Sequence, residues 1–412
     1  MPTPFASLST LFTSPRPDRA GAGRRALLFV LAGNMLIDAL EVSVVLVALP
    51  AMGRDLGLSM YGGQWMMSGF AAGFAALLLL GPRLAARWGR RRVYLAALTV
   101  FIAASLAGGL TDEGAVLAAT RVVKGMCAAL TAPTGLAIIG TVFRPGPEQS
   151  RAVSVYSLFG AAGFTVGLLS SGALTELSWR WNPVFPAPFA VLLLLAGVRL
   201  VPGDTGRTSA EPLRPAMARL VRNGPFVRSA LCAATLNGTY LGLLLLLTHW
   251  LHDTWGWSSW ETALAFLPAC VPLALALPFA GRMVARFGTG PLIAAGGCAT
   301  ALGCATALLT GAPGTYVTGV LPVLLCVEAG FVLSFAALNL QAVSGIPAER
   351  RSTAVPVYQT AVQLGPLLSL PAVAAAAGSG YRPALLILTA LSTTGAVIAC
   401  APSRRARADT AA

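Results

Sequence analysis

The chain has 412 residues, of which 56% are hydrophobic and only 11% charged, with a mean hydropathy of +0.73. Soluble domains carry about 25% charged residues, so this composition excludes an ordinary water-soluble globule and makes the bilayer the natural solvent. A net charge of +14 would suggest nucleic acid in a soluble protein, but its distribution along the chain points elsewhere.

Residues 1–25 are polar and rich in Pro and Ser and read as a cytoplasmic tail. The apolar run after them is too long for a signal h-region, and no small-residue cleavage site follows it closely. Twelve apolar segments come next, each long enough for a helix of about 20 residues to cross a bilayer. They fall near 26–50, 63–82, 93–110, 114–143, 152–175 and 183–202, then 229–252, 262–281, 290–311, 316–346, 353–377 and 383–401. The runs are continuous in Leu, Ala and Gly without alternation, which excludes strands as spans. The Arg- and Pro-rich stretch 203–228 is the one long polar connection. It divides an all-α integral membrane fold into six-helix bundles at 26–202 and 229–401, with 402–412 as a second cytoplasmic tail. The seven cysteines show no paired spacing. Cys127, Cys232, Cys270 and Cys326 lie inside apolar stretches and read as small core residues, neither disulfides nor metal ligands.

With a cytoplasmic N-terminus, the inside segments hold 24 of the 29 Lys and Arg, and the outside segments hold only Arg54, Arg180 and Arg382. The positive-inside rule gives that bias when span count and orientation are both right, so the basic surplus is topological and requires no nucleic-acid partner. The place is a cell (inner or plasma) membrane, with both termini cytoplasmic. "RLAARWG" from Arg83 and "RMVARFG" from Arg282 each follow the second span of their half, 199 residues apart. Similarity at the same topological position is the mark of a duplicated six-helix unit, the layout of alternating-access transporters.

Four stretches carry a resemblance to a known family. "EVSVVLVALP" (41–50), "GPRLAARWGRRRV" (81–93), "ATRVVKGMCAAL" (119–130) and "GLLSSGALTELSWRW" (167–181) occur in order. They resemble the motifs of helix one, the loop between helices two and three, helix four and helix five of the major facilitator superfamily, within it the drug:proton antiporters. The resemblance implies the major facilitator fold, two pseudo-symmetric six-helix bundles, and multidrug efflux. It also implies a gating role for the loop residues Arg83, Arg87, Gly89 and Arg90 and their mates Arg282, Arg286 and Gly288. There are departures. The loop motif's Asp is Ala86, with Ala285 in the matching place, so gating must rest on other contacts. The helix-five Pro is Leu168 and one of its Gly is Ser171. The helix-four Gln is Lys124, the only lysine in the chain.

Five ionisable residues lie inside spans. Asn34, Asp38 and Glu41 follow an i, i+4, i+7 spacing and share one helical face. By helical rise, Glu41 and Asp38 lie about 13 and 18 Å below the outer boundary, and Arg121 and Lys124 about 10 and 15 Å down. Glu328 on the tenth span comes out near 18 Å. A charge at the bilayer centre costs roughly 2.5–3.5 kcal/mol even on the lenient scale, so the five must face one another or an inner chamber. Three acids against two bases leave one carboxylate unpaired, the one able to exchange a proton. Glu41 holds the acid position of the first-helix motif and is expected to carry the proton, with Asp38 and Arg121 forming the pair that reports its charge. Glu328 is the second candidate, or else a partner for Lys124 across the halves. A static ion-pair cluster is the alternative for the set.

Weaker signals complete the reading. Asn237 with Tyr240 on the seventh span, Gln359 with Gln363 on the eleventh, and Asn34 are candidates for the substrate cavity; interhelical hydrogen bonds explain the two pairs equally well. His249, His252 and Asp253 stand beside Trp250, Trp255 and Trp257, as an interfacial aromatic belt would. Gly160, Gly163 and Gly167 on the fifth span allow close helix contact on which rocking could occur. No H-E-x-x-H or other catalytic motif is present, so no catalytic residue, metal or cofactor is expected, with the proton as coupling ion. The expected function is proton-coupled export of small organic molecules by alternating access. The alternative is a proton-coupled importer of a polar or anionic solute, suited by Arg121 and Lys124. The expected partners are a small-molecule substrate, protons and the lipid bilayer, with the chain acting as a monomer.

Overall fold

The computed structural model describes residues 19–144, 146–203, 213–276 and 279–401. The tail residues 1–18 and 402–412, and 204–212 of the expected linker, lie outside the described residues. The long helices are α1 (Arg19–Ser43), α2 (Trp65–Leu78), α3 (Arg90–Leu110), α4 (Gly114–Val142), α5 (Pro147–Leu177) and α6 (Pro186–Leu200) in the first half. The second half has α7 (Gly224–Trp255), α8 (Ser259–Ala276), α9 (Thr289–Thr310), α10 (Leu321–Val343), α11 (Ala348–Ala377) and α12 (Tyr381–Cys400). Hydrocarbon offers the backbone no hydrogen bonds, and helices satisfy it within each segment. Ten described helices are long and apolar enough to cross a membrane, and Met60–Leu78 with Gly81–Trp88, bent by 53°, makes up to eleven. α8 occupies the remaining expected segment at 262–281 and is followed by residues 277–278, outside the described residues.

Several helix ends differ from expectation: α1 starts at Arg19, inside the expected tail, and α5 and α11 start at Pro147 and Ala348 rather than 152 and 353. α7 starts at Gly224 rather than 229, because Asn223 caps it (Oδ1 accepts from the Phe226 amide at 3.1 Å) and Pro225 occupies its first turn. The expected linker also contains a short helix, Leu213–Val221, whose Ala216 and Leu220 are buried. The first span is interrupted as well. α1 ends at Ser43, and a new helix runs over Leu49–Asp55. Val44, Val45 and Val47 are stiff at χ1, and Pro50 has no amide to donate to Leu46, so the ladder fails between them.

The two copies of the repeat fold alike. Each is an eight-residue amphipathic helix, Gly81–Trp88 and Ala280–Phe287, closed by a glycine at positive φ: Gly89 at +89° and Gly288 at +78°. Each glycine amide bonds back to the carbonyl four residues earlier, of Ala85 and Val284. Only glycine takes that conformation without a Cβ clash, and α3 and α9 start at once beyond it.

The buried apolar side chains form three clusters. One draws on both halves: Val44 to Met52, Met66, Leu117, Leu168 and Trp179 pack with Leu243 to Leu247, Phe266, Leu324 and Val373. Two others belong to single halves. Leu31, Tyr94, Phe101 and Ile139 make up a first-half cluster, and Phe226, Leu236, Leu338 and Tyr358 a second-half one. The shared cluster lies toward the end that bears Pro50, Trp179 and Ser259. The separate clusters lie toward the end that bears the arginine loops. The halves therefore join at the first end by a continuous apolar seam. Across it the Ser259 hydroxyl donates to the Val47 carbonyl at 3.0 Å, and the Trp260 amide donates to Glu176 at 3.2 Å.

Candidate functional site

The break after α1 builds the first part of the site. The α-helical ladder runs to Val44 N–H on Leu40 O, and the next carbonyl, that of Glu41, is taken by Arg121 Nη2 at 2.6 Å. A helix end leaves such carbonyls without a partner, and here a guanidinium from α4 supplies one. The same guanidinium donates through Nη1 to Glu41 Oε2 and through Nε to the Met66 carbonyl at 2.8 Å. Its face lies over the Phe70 ring, 5.0 Å from the centroid. Lys124, one turn further along α4, donates to Glu41 Oε1 at 2.8 Å and to the Pro183 carbonyl at 2.9 Å, over the Phe101 ring. One carboxylate thus bridges two cations, and all three side chains are at most 3% exposed. Charges this deeply buried persist only when every donor and acceptor is met, which the carbonyls of Met66 and Pro183 help to do.

Asp38 does not pair with Arg121, a correction to the sequence reading. Its Oδ2 accepts from Asn34 Nδ2 at 2.8 Å and from the Thr131 hydroxyl at 3.0 Å. α1 and α4 run antiparallel, so three residues back along α1 meets residues further along α4, beyond Lys124. Thr131 lies seven residues from Lys124 and so on its face, the signal by which it could have been found.

Glu328 stands apart. It is 1% exposed on α10, and neither carboxylate oxygen has a hydrogen-bond partner among the described residues. The groups that interact with it are the Tyr240 phenol of α7, short of hydrogen-bond geometry, and the Cys270 thiol of α8. Tyr240 packs on Phe331 of α10 at 4.9 Å and on Phe164 of α5 at 6.1 Å, so an aromatic wall from both halves stands beside the acid. Phe331 is three residues from Glu328 and shares its face. The Lys124–Glu328 pair is not formed, because Lys124 is held within the first half by Glu41 and Pro183. The expected meeting of all five groups is therefore corrected: four gather in the first bundle, and Glu328 faces the second.

The remaining candidates take varied positions. Asn237 donates to the Val362 carbonyl at 3.4 Å and Gln359 to Asn339 at 3.5 Å, while Gln363 is half-buried on the α11 face it shares with Gln359. Gly160, Gly163 and Gly167 do not lie between the halves. A Cβ on them would strike Met35, Leu36 and Ser43 of α1, so they draw α5 against α1 within one bundle. Gly172 is the α5 glycine that meets the other half, against Ala263 and Ser259 of α8. His249 and His252 donate through Nδ1 to the carbonyls of Leu245 and Trp257. Of the loop residues, Arg286 lies over Phe287 and Arg282 over Phe279.

Comparison with known proteins agrees with this architecture. The family model described as Major Facilitator Superfamily matches residues 31–370. The puromycin resistance protein pur8 of Streptomyces alboniger is 31% identical over 406 residues, covering 84% of this chain and 80% of that protein. The cephamycin export protein CmcT of Amycolatopsis lactamdurans is 34% identical over 282 residues, 68% of this chain and 53% of its own. This chain therefore spans about half of that relative's length. A solved bacterial homolog of the human lysosomal transporter Spinster, described as inward-facing and unoccupied, superposes with a TM-score of 0.68 at 18% identity. It covers 94% of this chain and 96% of its own, a likeness of fold. With the loop repeat, the bundled helices and the family match all in register, the chain belongs to the major facilitator superfamily, a family of membrane transporters.

Proposed function

We propose that the protein is a proton-coupled exporter of small organic molecules that works by alternating access, with both termini on the cytoplasmic side. The observation that carries the proton assignment is that Glu328 is buried with neither carboxylate oxygen hydrogen-bonded and with no ion pair among the described residues. An ionised carboxylate buried without partners costs several kcal/mol, and a proton or a substrate group delivered during transport removes that cost. A site whose free energy changes with both ligands can couple them, provided each binds the two conformations unequally. Glu41, the carrier expected from its motif position, is held by two cations and serves better as a fixed structural charge.

The apolar seam supports a conformation closed at the outer end and open toward the arginine loops, and the 24-to-3 bias of basic residues supports that orientation. Export of antibiotics is supported by relatives named for puromycin resistance and cephamycin export. The importer reading relied on two cavity cations free to take an anion, and Glu41 occupies both. Proteoliposomes with an imposed proton gradient test the proposal. Glu328→Gln should lose gradient-driven efflux of puromycin or a related antibiotic at least tenfold while retaining gradient-independent exchange. Wild-type efflux in that variant would reject the proton assignment, and flux indifferent to the gradient in the native protein would reject antiport.

A further inference from the structure

The loop copies differ in a way their shared geometry does not require. Arg90, Arg91 and Arg92 follow Gly89, whereas Thr289, Gly290 and Pro291 follow Gly288, yet both turns form. The arginines are therefore surplus to the turn. Segment 81–93 holds five arginines and no acid. Arg91 is spent on the Val198 carbonyl, tying α3 to α6. Arg92 points elsewhere. It is exposed, has no ion pair among the described residues, and lines one end of a groove of about 440 Å³ between α2, α3 and α4. The groove is otherwise apolar. Val93, Ala97 and Cys127 are its buried members, Val100 is exposed further along α3, and Trp88 stands beside Arg92.

From Arg92 to Val100 the groove follows α3 for about 12 Å, most of the roughly 15 Å depth of one leaflet. Trp88 marks the headgroup level, where indole rings collect. An apolar channel at hydrocarbon depth, with one unpaired guanidinium at its interfacial end, has the shape and polarity of a phospholipid with an anionic head. A guanidinium fits a phosphate through paired N–H donors. Buried residues close its inner side, so it leads outward to lipid and not to Glu328.

We propose that this groove is a binding site for an anionic phospholipid, with the phosphate on Arg92 and one acyl chain along Val100, Ala97 and Cys127. Native mass spectrometry of the full chain in detergent, titrated with phosphatidylglycerol and with phosphatidylcholine, counts the bound lipid on the folded protein. The native protein should prefer phosphatidylglycerol. Arg92→Gln should weaken that lipid about fivefold and remove the preference. Ala96→Trp, which fills the groove and keeps the arginine, should displace both lipids. Equal affinity of Arg92→Gln and native protein for phosphatidylglycerol overturns the proposal. Undiminished binding by Ala96→Trp also overturns it, since the lipid would then sit on the basic surface and not in the groove. One-for-one displacement of the lipid by puromycin would make the groove a substrate entrance and likewise overturn it.

Discussion

Glu41 and Lys124, the chain's single lysine, are joined by a 2.8 Å hydrogen bond between two side chains that are almost wholly buried. With Arg121 on the other carboxylate oxygen, the bridge leaves no charge of the trio unopposed except one surplus cation, cushioned by the Phe70 and Phe101 rings.

Removing the bridging acid should be worse than removing one cation with it. Glu41→Gln strands two guanidinium and ammonium charges in the bundle, a change that costs about 3–5 kcal/mol. Glu41→Gln with Lys124→Met leaves only Arg121, which keeps the Met66 and Glu41 carbonyls, and should recover part of the loss. Thermal unfolding of the purified variants in detergent checks the order, and equal losses in both would deny the coupling.

Closure of the outer seam can be tested with a reversible bond. The Val47 carbonyl and Ser259 hydroxyl meet at 3.0 Å from opposite halves. Val47→Cys with Ser259→Cys, in a background free of the native cysteines, should cross-link on oxidation and arrest transport, with activity restored by reduction. Full transport in the oxidised form would mean that the seam does not open during the cycle.

The glycines between α2 and α4 should tolerate nothing larger. A Cβ on Gly73 would strike the Val122 backbone, and one on Gly125 the Phe70 backbone. Main chain cannot rotate aside as a side-chain tip does, so Gly73→Ala and Gly125→Ala should each destabilise by about 1–3 kcal/mol or more. Gly281, with open space around it, is the control. Gly281→Ala should be neutral or gain up to about 1 kcal/mol from helix propensity.

The exposed ion pairs at the outer loops should matter far less than their number suggests. Arg180 pairs with Asp55 at 3.4 Å and also reaches Asp112, and both acids are more than half exposed. Water and salt screen such pairs, so Arg180→Gln should cost under about 1 kcal/mol, most of it from the lost bond to the Thr111 carbonyl. A loss as large as that of Glu41→Gln would show the loop to be a structural clamp.

Composition and periodicity by themselves determined the membrane fold, the two halves and the duplicated loop, because lipid imposes a length and polarity that each span must meet alone. They also placed acids on helix one at the depth of the bases on helix four. The rise arithmetic already held the pairing, since Glu41 at about 13 Å falls between Arg121 at about 10 Å and Lys124 at about 15 Å. Motif position instead drew Asp38 into that role.

Only the tertiary structure decided who meets whom. Helix rotation and the break at residues 44–48 turn the Glu41 carboxylate and its own carbonyl toward Arg121, and no local pattern announces a carbonyl released for a distant guanidinium. The isolation of Glu328 is likewise a property of its surroundings. Its position on α10 is written in the chain, but that no cation and no completed hydrogen bond meets it among the described residues depends on what α7 and α8 bring there, and on Lys124 being engaged within the other bundle.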